Sequence, residues 1–371
     1  MKVQLRKPFF PPTSISKINT EIGRVLRNGR LVLGEHLKRF EAEFAQFVGT
    51  KYACAVSSGT AGLHLSLLSL GIGHGDEVIV PAKTFISTAH AAMYCNATPV
   101  FCDVDEETFL IDPSKFKKLI TKKTKAVIPV HVGGNMCAMD EIMEIAKKHK
   151  MAVIEDAAHA HGSEFRKKKA GSIGTAGVFS FYPDKIMASS DGGIITTNDK
   201  NIYEKLDLLR NVGRRNLGNY EFSIIGYNYR MNEIQAIIAR EQLRLLPKMI
   251  KRRKEIVSIY DSELNGIKIL RKQKIESDVV PVYYAYILRL VKGNLEKFRT
   301  ALLKKGVETS PIFTSLHKTK PYVDVFGKRD GLCPISEELD SQTFTIPLHP
   351  AMTDKKIHYV IKTIKNLVKE Y

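Results

Sequence analysis

The sequence predicts an α/β protein in which a parallel sheet is covered by helices on both faces and is followed by a smaller C-terminal α+β domain. Three observations predict this architecture. Between residues 52 and 198, short apolar runs alternate with helical patterns, which is typical of parallel strands joined by helices. A long helical pattern then follows residue 231, and few strand patterns come after it. The chain of 371 residues has the length of about two domains.

Each predicted strand is a short run of apolar or β-branched residues. In chain order the runs are YACAV at 52–56, EVIVP at 77–81, PVFCDV at 99–104, KAVIPVHV at 125–132, MAVIED at 151–156, GVFSFY at 177–182 and GIITTN at 193–198. Helical patterns separate most of them. The last two strands are joined only by PDKIMASSDG, which is too short for a crossover helix. The strand order must change there, and ligands bind at such places in α/β folds.

The second domain begins within a long helical pattern, NEIQAIIAREQLRLLPKMIKRRKEIVSIYDSELN at 232–265. Pro247 is expected to kink this helix, which we interpret as the connection between domains. We therefore predict a large domain over 1–245 and a small domain over 246–371. In the small domain, VYYAYILRL at 282–290 and a segment near TFTIPLHP predict strands, and a helix ends the chain.

The composition is that of an ordinary globular protein, with 44% hydrophobic and 26% charged residues. The net charge is +18, but the lysines recur along amphipathic helices, which favours solvated faces. No nucleic-acid-binding signature accompanies the charge, so we predict neither a nucleic-acid nor a membrane partner. Without a signal-peptide pattern or a long apolar run, a cytoplasmic location is expected. The five scattered cysteines are expected to be reduced and mostly buried.

Two segments at strand ends carry polar groups suited to ligand binding. The residues SSGT at 57–60 follow a strand and open a helix, where backbone N–H groups and the helix dipole converge on a place for a phosphate. Ser and Thr are equally the preferred N-caps of a helix that binds no ligand. Asp156 ends the strand MAVIED and is expected at the crevice, whereas Glu155 should face the opposite side. The alternative for Asp156 is a loop-capping role.

Lys185 lies in the short segment between the last two strands. A lysine held against apolar walls has its ammonium form disfavoured, so its pKa falls and its amine becomes a nucleophile toward aldehydes. The alternative is an exposed loop lysine. Pyridoxal phosphate needs a cradle for its phosphate, an anion beside its pyridine nitrogen and an amine for its aldehyde. The three features together therefore predict a pyridoxal-phosphate site.

The same stretches resemble, in order and over nearly the whole chain, the DegT/DnrJ/EryC1/StrS family of sugar aminotransferases. The matching segments are GRLVLGEHLKRFEAEFAQFVGTKYACAVSSGTAGLHLSLLSLGIGHGDEVIVPAKTF, IEDAAHAHG, GVFSFYPDKIMASSDGGIITTND, GYNYRMNEIQAII and TIPLHPAMTD. The resemblance implies the fold of type I aminotransferases, with a mostly parallel seven-stranded sheet flanked by helices and a smaller C-terminal α+β domain. It also implies a homodimer whose active sites are shared between subunits.

The resemblance assigns roles to individual residues. Lys185 is expected to form the Schiff base with the cofactor and to shuttle the proton, and Asp156 to pair with the pyridinium nitrogen. Phe85 is expected to stack on the ring, and His159, where many relatives carry Gln, to lie near the cofactor O3′. Asn228 is expected to reach the phosphate in the neighbouring subunit. The phosphate should also be held by small residues of this chain: Ser58, Gly59, Thr60 and Ser180. Without the resemblance, Phe85 would be read as core, Ser180 as a strand hydroxyl and Asn228 as a turn former.

The implied reaction transfers an amino group from glutamate, or glutamine, through pyridoxamine phosphate to a keto-sugar, with a nucleotide-linked 4-keto-6-deoxy sugar as the expected acceptor. A 3-keto-sugar, a cyclitol, an octulosonate and a non-catalytic regulatory role remain alternatives. Sugar dehydration is disfavoured, because relatives with that activity carry His in place of the lysine.

The chain departs from the family at Ser190 and Asp191, and at Lys83, where the usual residue is small or neutral. Lys83 is therefore read either as a contact for an anionic substrate group or as an exposed cation. The candidates for the substrate pocket are Lys83, Arg230, His317 and Tyr322, the last two in a segment that resembles a loop.

Overall fold

The structure is a computed structural model that describes residues 1–215 and 220–370. Its main sheet has seven strands, numbered here in chain order β1 to β7: Tyr52–Val56, Glu77–Pro81, Thr98–Cys102, Thr124–Val127, Ala152–Asp156, Ala176–Ser180 and Gly193–Thr197. Their spatial order is β1-β7-β6-β5-β4-β2-β3. Pairing is parallel from β6 to β3, whereas β7 is antiparallel to both of its neighbours. The predicted mostly parallel sheet of seven strands is confirmed.

Helices cover both faces of this sheet. Those before the small domain, α1 to α8, are Pro12–Asn28, Glu35–Val48, Gly59–Ser69, Ile86–Tyr94, Pro113–Lys118, Met139–Lys148, Lys200–Arg210 and Glu233–Leu264. Successive strand residues point to opposite faces: Ala53 and Ala55 pack in a core with α2 and α8, while Cys54 and Val56 pack in a core with α3, α4 and α7. The strands are apolar on both sides because both sides are covered.

The smaller C-terminal unit is built on an antiparallel sheet of four strands, β8 to β11: Leu270–Lys272, Tyr286–Leu290, Ser310–Pro311 and Thr343–Ile346, in the order β8-β9-β11-β10. The helices that follow are α9 to α12, Leu295–Lys304, Lys320–Phe326, Pro334–Asp340 and Asp354–Leu367. Helices α9 and α12 pack in the core of this sheet, whereas α10 and α11 pack on the cores of the main sheet. Val3 is buried in this core, because the N-terminal segment forms a parallel bridge to Val307. The start of the chain therefore packs on the small unit.

Helix α8 connects the two units. It begins at a capping box in which Asn232 and Gln235 each accept a hydrogen bond from the other's backbone N–H, and it continues through Pro247. Residues up to Met249 belong to a core of the main sheet, whereas residues from Ile256 belong to the small core. The predicted division at 245/246 falls within this helix and stays a prediction.

Two of the predicted strands are much shorter in the structure. The run 125–132 ends as a strand at Val127, and residues 132–134 form a 3-10 helix. The run 282–290 becomes a strand only at Tyr286, because Tyr283 has a φ of +54° and the buried Arg253 guanidinium binds the carbonyls of Tyr283 and Tyr284, both at 3.2 Å. Val130 and Tyr284, which lie in these irregular segments, line the cavity described below.

The cysteines are free and buried, as predicted: Cys54, Cys95, Cys102, Cys137 and Cys333. Within the described ranges, no helix combines the length and apolar character that crossing a bilayer demands.

Candidate active site

A cavity of about 550 Å³ lies at the carboxyl ends of β1, β5 and β6. With one exception, every residue predicted to bind the cofactor lines it: Ser58, Gly59, Thr60, Phe85, Asp156, His159, Ser180 and Lys185. The exception is Asn228. The opposite wall comes from the N-terminal segment and the small unit, through Arg6, Tyr284, Ser310, Pro311, Ile312 and Phe313. The cavity is therefore enclosed by two walls, a motif wall from the large domain and a distal wall from these six residues.

One end of the cavity is the N-terminus of α3. Ser58 is the N-cap of this helix, and its Oγ accepts a hydrogen bond from the Ala61 N–H at 3.1 Å. The N–H groups of Gly59 and Thr60 lie in the first turn, where a helix offers no internal acceptor and carries the positive end of its dipole. Gly59 is required by close packing, because a Cβ there would lie 2.9 Å from the Ser180 Cβ. Backbone amides and the Ser180 hydroxyl thus sit together where a phosphate can be held.

Asp156 is buried at the end of β5. Its Oδ2 accepts a hydrogen bond from the Thr88 hydroxyl at 2.9 Å, and its Oδ1 accepts one from the Ala158 N–H at 3.2 Å. Burial raises the pKa of Asp156, and these two hydrogen bonds oppose the rise. A cation bound against the carboxylate would favour its ionised form further.

The neighbouring Glu155 faces the other side of the sheet, as predicted. It is fully buried, lies 3.1 Å from His131 Nε2, and accepts hydrogen bonds from the N–H groups of Gly171, Ile173 and Gly174. Glu155 therefore fixes a loop, whereas Asp156 faces the cavity.

Lys185 lies in the turn after β6, where its N–H donates to the Tyr182 carbonyl at 2.9 Å. Its side chain is 15% exposed, and its Nζ lies 3.4 Å from Asp184 Oδ1 and 5.0 Å from the centroid of the Tyr284 ring. Burial lowers the pKa of Lys185; Asp184 opposes this shift and Arg6 adds to it. The amine is thus more readily neutral than that of an exposed lysine, which is what attack on an aldehyde needs.

Two aromatic rings stack with His159, and a third ring lies beside one of them. Its ring stacks on Tyr284 with centroids 3.8 Å apart and lies parallel to Phe313 at 5.5 Å, while Phe85 is 6.4 Å from Phe313. Burial lowers the pKa of His159 well below its ordinary value, so the ring is neutral. Its Nδ1 accepts a hydrogen bond from the Gly133 N–H at 3.4 Å, which assigns the ring proton to Nε2.

Sequence reasoning missed several cavity residues and their partners. Asp184 was visible as the neighbour of Lys185, and Thr88 follows Phe85 by one turn of α4, so local spacing could have indicated both. Arg6 and Tyr284 carry no comparable signal, because they reach the cavity only through packing of the N-terminal segment and the small unit. Asp191, which departs from the family pattern, also lines the cavity.

Three of the proposed substrate residues do not line the cavity. Lys83 is only 2% exposed, so its reading as an exposed cation is wrong; its Nζ lies 2.7 Å from Asp340 Oδ1. His317 is buried with its Nε2 2.9 Å from Glu337 Oε1, and Tyr322 packs on Phe101 at 5.1 Å between ring centroids. The predicted loop around His317 and Tyr322 is instead a 3-10 helix, Leu316–Lys318, followed by α10. These side chains are held by protein groups, which corrects their assignment to the pocket.

Arg230 and Asn228 also lie outside the cavity of their own chain. Arg230 is half-buried and donates to Asn211 Oδ1 at 3.1 Å. Asn228 is exposed, and its backbone bridges to Asn211. Both belong to the segment that pairs beside β1 through the bridge between Val56 and Arg230.

The cavity residues fit pyridoxal phosphate. The α3 N-terminus offers free backbone amides to the phosphate. The space beside position 59 is too narrow for any residue larger than glycine. Asp156 offers a buried carboxylate for the ring nitrogen, and Lys185 offers a mostly buried amine for the aldehyde. All three kinds of group face one enclosed volume.

Comparisons with known proteins agree with this fit. The model of the DegT/DnrJ/EryC1/StrS aminotransferase family matches residues 12–365. The chain is 39% identical to GDP-perosamine synthase of Caulobacter vibrioides, covering 91% of both proteins. It is 36% identical to dTDP-3-amino-3,6-dideoxy-alpha-D-galactopyranose transaminase of Aneurinibacillus thermoaerophilus, covering 94% of both.

A solved structure gives the same result at the level of the fold. The PLP form of Spr1654 from Streptococcus pneumoniae, assigned as a sugar aminotransferase, superposes with a TM-score of 0.94 at 26% identity, covering 100% of this chain and 99% of the other. The predicted family, cofactor and enzyme class are therefore confirmed. The chain belongs to the DegT/DnrJ/EryC1/StrS aminotransferase family and is a pyridoxal-phosphate-dependent sugar aminotransferase.

Proposed function

We propose that the enzyme transfers an amino group from glutamate to a nucleotide-linked keto-sugar of the 4-keto-6-deoxy class. The observation that carries this proposal is the mostly buried Lys185 amine in one cavity with the Asp156 carboxylate and the α3 N-terminus. When bound, the cofactor supplies an electron sink conjugated to the reacting carbon. The protein residues supply the anchoring, the charge and the proton transfers.

Each residue has a distinct part in this proposal. Lys185 Nζ would bond to the cofactor aldehyde at rest. Once the donor amine has displaced it, the free amine would take a proton from the donor α-carbon and return it at the cofactor C4′. Asp156 keeps the ring nitrogen protonated. Gly59, Thr60 and Ser180 hold the phosphate, and Phe85 packs on the ring.

The choice of substrates rests on the lining of the cavity and on the named relatives. Pro311, Ile312 and Phe313 form an apolar stretch of the distal wall, where a hydroxyl would lose hydrogen bonds but a methyl group would not. This favours a 6-deoxy sugar. Lys185 is committed to the cofactor, so Arg6 is the other lysine or arginine side chain that lines the cavity in the described part of the chain, and a guanidinium suits a carboxylate of glutamate. Both compared relatives carry a nucleotide-sugar product in their names.

A panel assay tests this function directly. Purified enzyme loaded with pyridoxal phosphate is given glutamate or glutamine with one acceptor at a time: 4-keto-6-deoxy and 3-keto sugars on GDP, dTDP and UDP, a keto-cyclitol and an octulosonate. We expect the highest kcat/KM for glutamate with a 4-keto-6-deoxy sugar nucleotide. Preference for another acceptor would replace the substrate assignment, and turnover of none would favour the regulatory alternative.

The active unit we propose is a homodimer in which Asn228 completes the site of the partner subunit. Its segment carries a strongly exposed apolar group, with Tyr220 83%, Phe222 56% and Ile225 91% exposed, which a monomer would leave in water. Asn228 is exposed in the same segment, close enough along the chain to be covered together with it.

Hybrid dimers test whether sites are shared. Chains carrying Lys185→Ala and chains carrying Asn228→Ala are co-expressed with different tags, and the mixed dimer is purified. If Asn228 acts in the partner's site, the mixed dimer has one site in which both residues are intact, and half of the wild-type turnover per dimer is expected. Turnover no higher than that of the Asn228→Ala homodimer would show that the residue does not act across the interface.

A further inference from the structure

The two carboxylate oxygens of Asp184 have different surroundings. Its Oδ2 accepts hydrogen bonds from Arg6 at 2.6 Å and from the Tyr284 hydroxyl at 2.8 Å. Its Oδ1 is buried and accepts no hydrogen bond from the residues that the structure describes. This oxygen lies 3.4 Å from Lys185 Nζ. Two donors therefore fix the carboxylate so that its remaining oxygen faces the reactive amine.

We propose that Asp184 is a positioning residue that faces Lys185 Nζ and stabilises its ammonium form, so that the amine, once freed from the cofactor, can take up and hold the donor proton. A buried carboxylate oxygen without a donor is unfavourable. Because Lys185 Nζ already lies 3.4 Å away, a small rotation of its side chain would give a charge-assisted hydrogen bond. When Lys185 is bonded to the cofactor, Arg6 and Tyr284 still compensate the carboxylate. Asp184 can thus accept a hydrogen bond from the free Lys185, and it keeps its hydrogen bonds from Arg6 and Tyr284 when Lys185 is bonded to the cofactor.

The charges around Lys185 make Asp184 and Arg6 opposing influences. Asp184 and Asp156 favour the ammonium, and Arg6 disfavours it. His159 and His161 are also close, and burial lowers the pKa of both, so they add no charge near neutral pH. Burial raises the pKa of the Tyr284 hydroxyl, which is therefore also neutral. Removing Asp184 and removing Arg6 should consequently move the pKa of Lys185 in opposite directions.

The experiment measures the titration of Lys185 rather than turnover. The full chain is loaded with pyridoxamine phosphate, in which Lys185 Nζ is not covalently bonded, and pulsed with acetic anhydride across a range of pH. Mass spectrometry of the peptide that contains Lys185 gives the acetylation rate. Asp184→Asn should move the midpoint of the pH profile down by about one unit, which accelerates acetylation about tenfold below the midpoint. Arg6→Gln should move the midpoint up.

The matched control is Asp324→Asn, which removes the carboxylate of the exposed pair with Lys320 and should leave the profile of Lys185 unchanged. A midpoint that stays fixed in Asp184→Asn, or shifts in the same direction in both Asp184→Asn and Arg6→Gln, would overturn the proposal. If Asp184→Asn does not fold, Asp184→Ser is measured in the same way: a downward shift of the midpoint supports the proposal and an unchanged midpoint rejects it. The result does not depend on which sugar the enzyme accepts, because no turnover is measured.

Discussion

The two walls of the cavity are built in different ways. The motif wall comes from residues that directly follow strands of the main sheet, such as Asp156 and Lys185. The distal wall comes from Arg6, Tyr284 and residues 310–313, which lie far apart in the chain. It is held by contacts between the two units, including Arg253 on the backbone carbonyls and the Lys83–Asp340 ion pair. We infer that residues of the motif wall carry out the chemistry, whereas the distal wall closes the cavity. Substitutions in the motif wall should therefore lower turnover most, and substitutions that weaken the distal wall should mainly lower the free energy of unfolding.

The largest effect is expected on the motif wall, in Lys185→Ala. Without the amine, no group is positioned to move the proton between the donor α-carbon and the cofactor, so turnover should fall by about 10³-fold. The visible absorbance that arises when the cofactor is bonded to lysine should also disappear, while thermal unfolding changes little. Absorbance titration and steady-state kinetics measure both. Wild-type turnover in this variant would remove Lys185 from the mechanism.

Asp156→Asn should reduce turnover by about 100-fold, since losing a charge partner worth about 2.7 kcal/mol in the transition state has that effect. Its neighbour Glu155 provides the matched control, because it lies on the same strand but faces away from the cavity. Glu155→Gln should instead lower the free energy of unfolding by about 2 kcal/mol and leave the turnover of folded enzyme unchanged. Denaturant unfolding and kinetics on both variants separate the roles. Equal loss of turnover in both variants would contradict the assignment of Asp156 to the chemistry and of Glu155 to the stability of the fold.

On the distal side, Lys83→Met should lower the free energy of unfolding by about 2 kcal/mol, because it leaves Asp340 without its buried partner. The figure is below that of a fully buried pair, since the Asp340 side chain is 21% exposed. Lys320→Met, which breaks the exposed pair with Asp324, should change it by less than about 0.5 kcal/mol. Urea unfolding curves give both values. Similar losses in the two variants would mean that the Lys83 pair adds nothing to holding the walls together.

The smallest effect is expected for Tyr284→Phe, which keeps the ring stacked on His159 but removes the hydroxyl that donates to Asp184. A single lost hydrogen bond of this kind costs about 1 kcal/mol, and turnover should fall by less than about fivefold. Kinetics and thermal unfolding on the same preparation test this. A loss as large as that of Asp156→Asn would place Tyr284 among the residues that set the chemistry.

The same contrast explains what the sequence could and could not predict. Asp156, Lys185 and the turn at 58–60 were found because each follows a strand whose pattern is visible, and the ends of parallel strands meet at one edge of the sheet. Lys83 was misread because its partner Asp340 lies 257 residues away, and no local pattern shows that a lysine will be buried against it. Arg6 was missed for the same reason. Contacts between residues far apart in the chain form only in the folded protein, so the spacing of neighbouring residues gives little information about them.

The attachment of the N-terminal segment to the small unit has a consequence for the order in which the protein is made. Val3 and Leu5 bond to residues 306–308 and to Leu348, and these contacts place Arg6 in the cavity. Because synthesis runs from the N-terminus to the C-terminus, a growing chain that has reached residue 250 already contains Lys185, Asp156 and the 58–60 turn, but not Tyr284 or Phe313. The cofactor would therefore meet an open cleft until the last third of the chain has emerged. Val3 and Leu5 are therefore among the last to find their native neighbours, because those neighbours lie about 300 residues later in the chain.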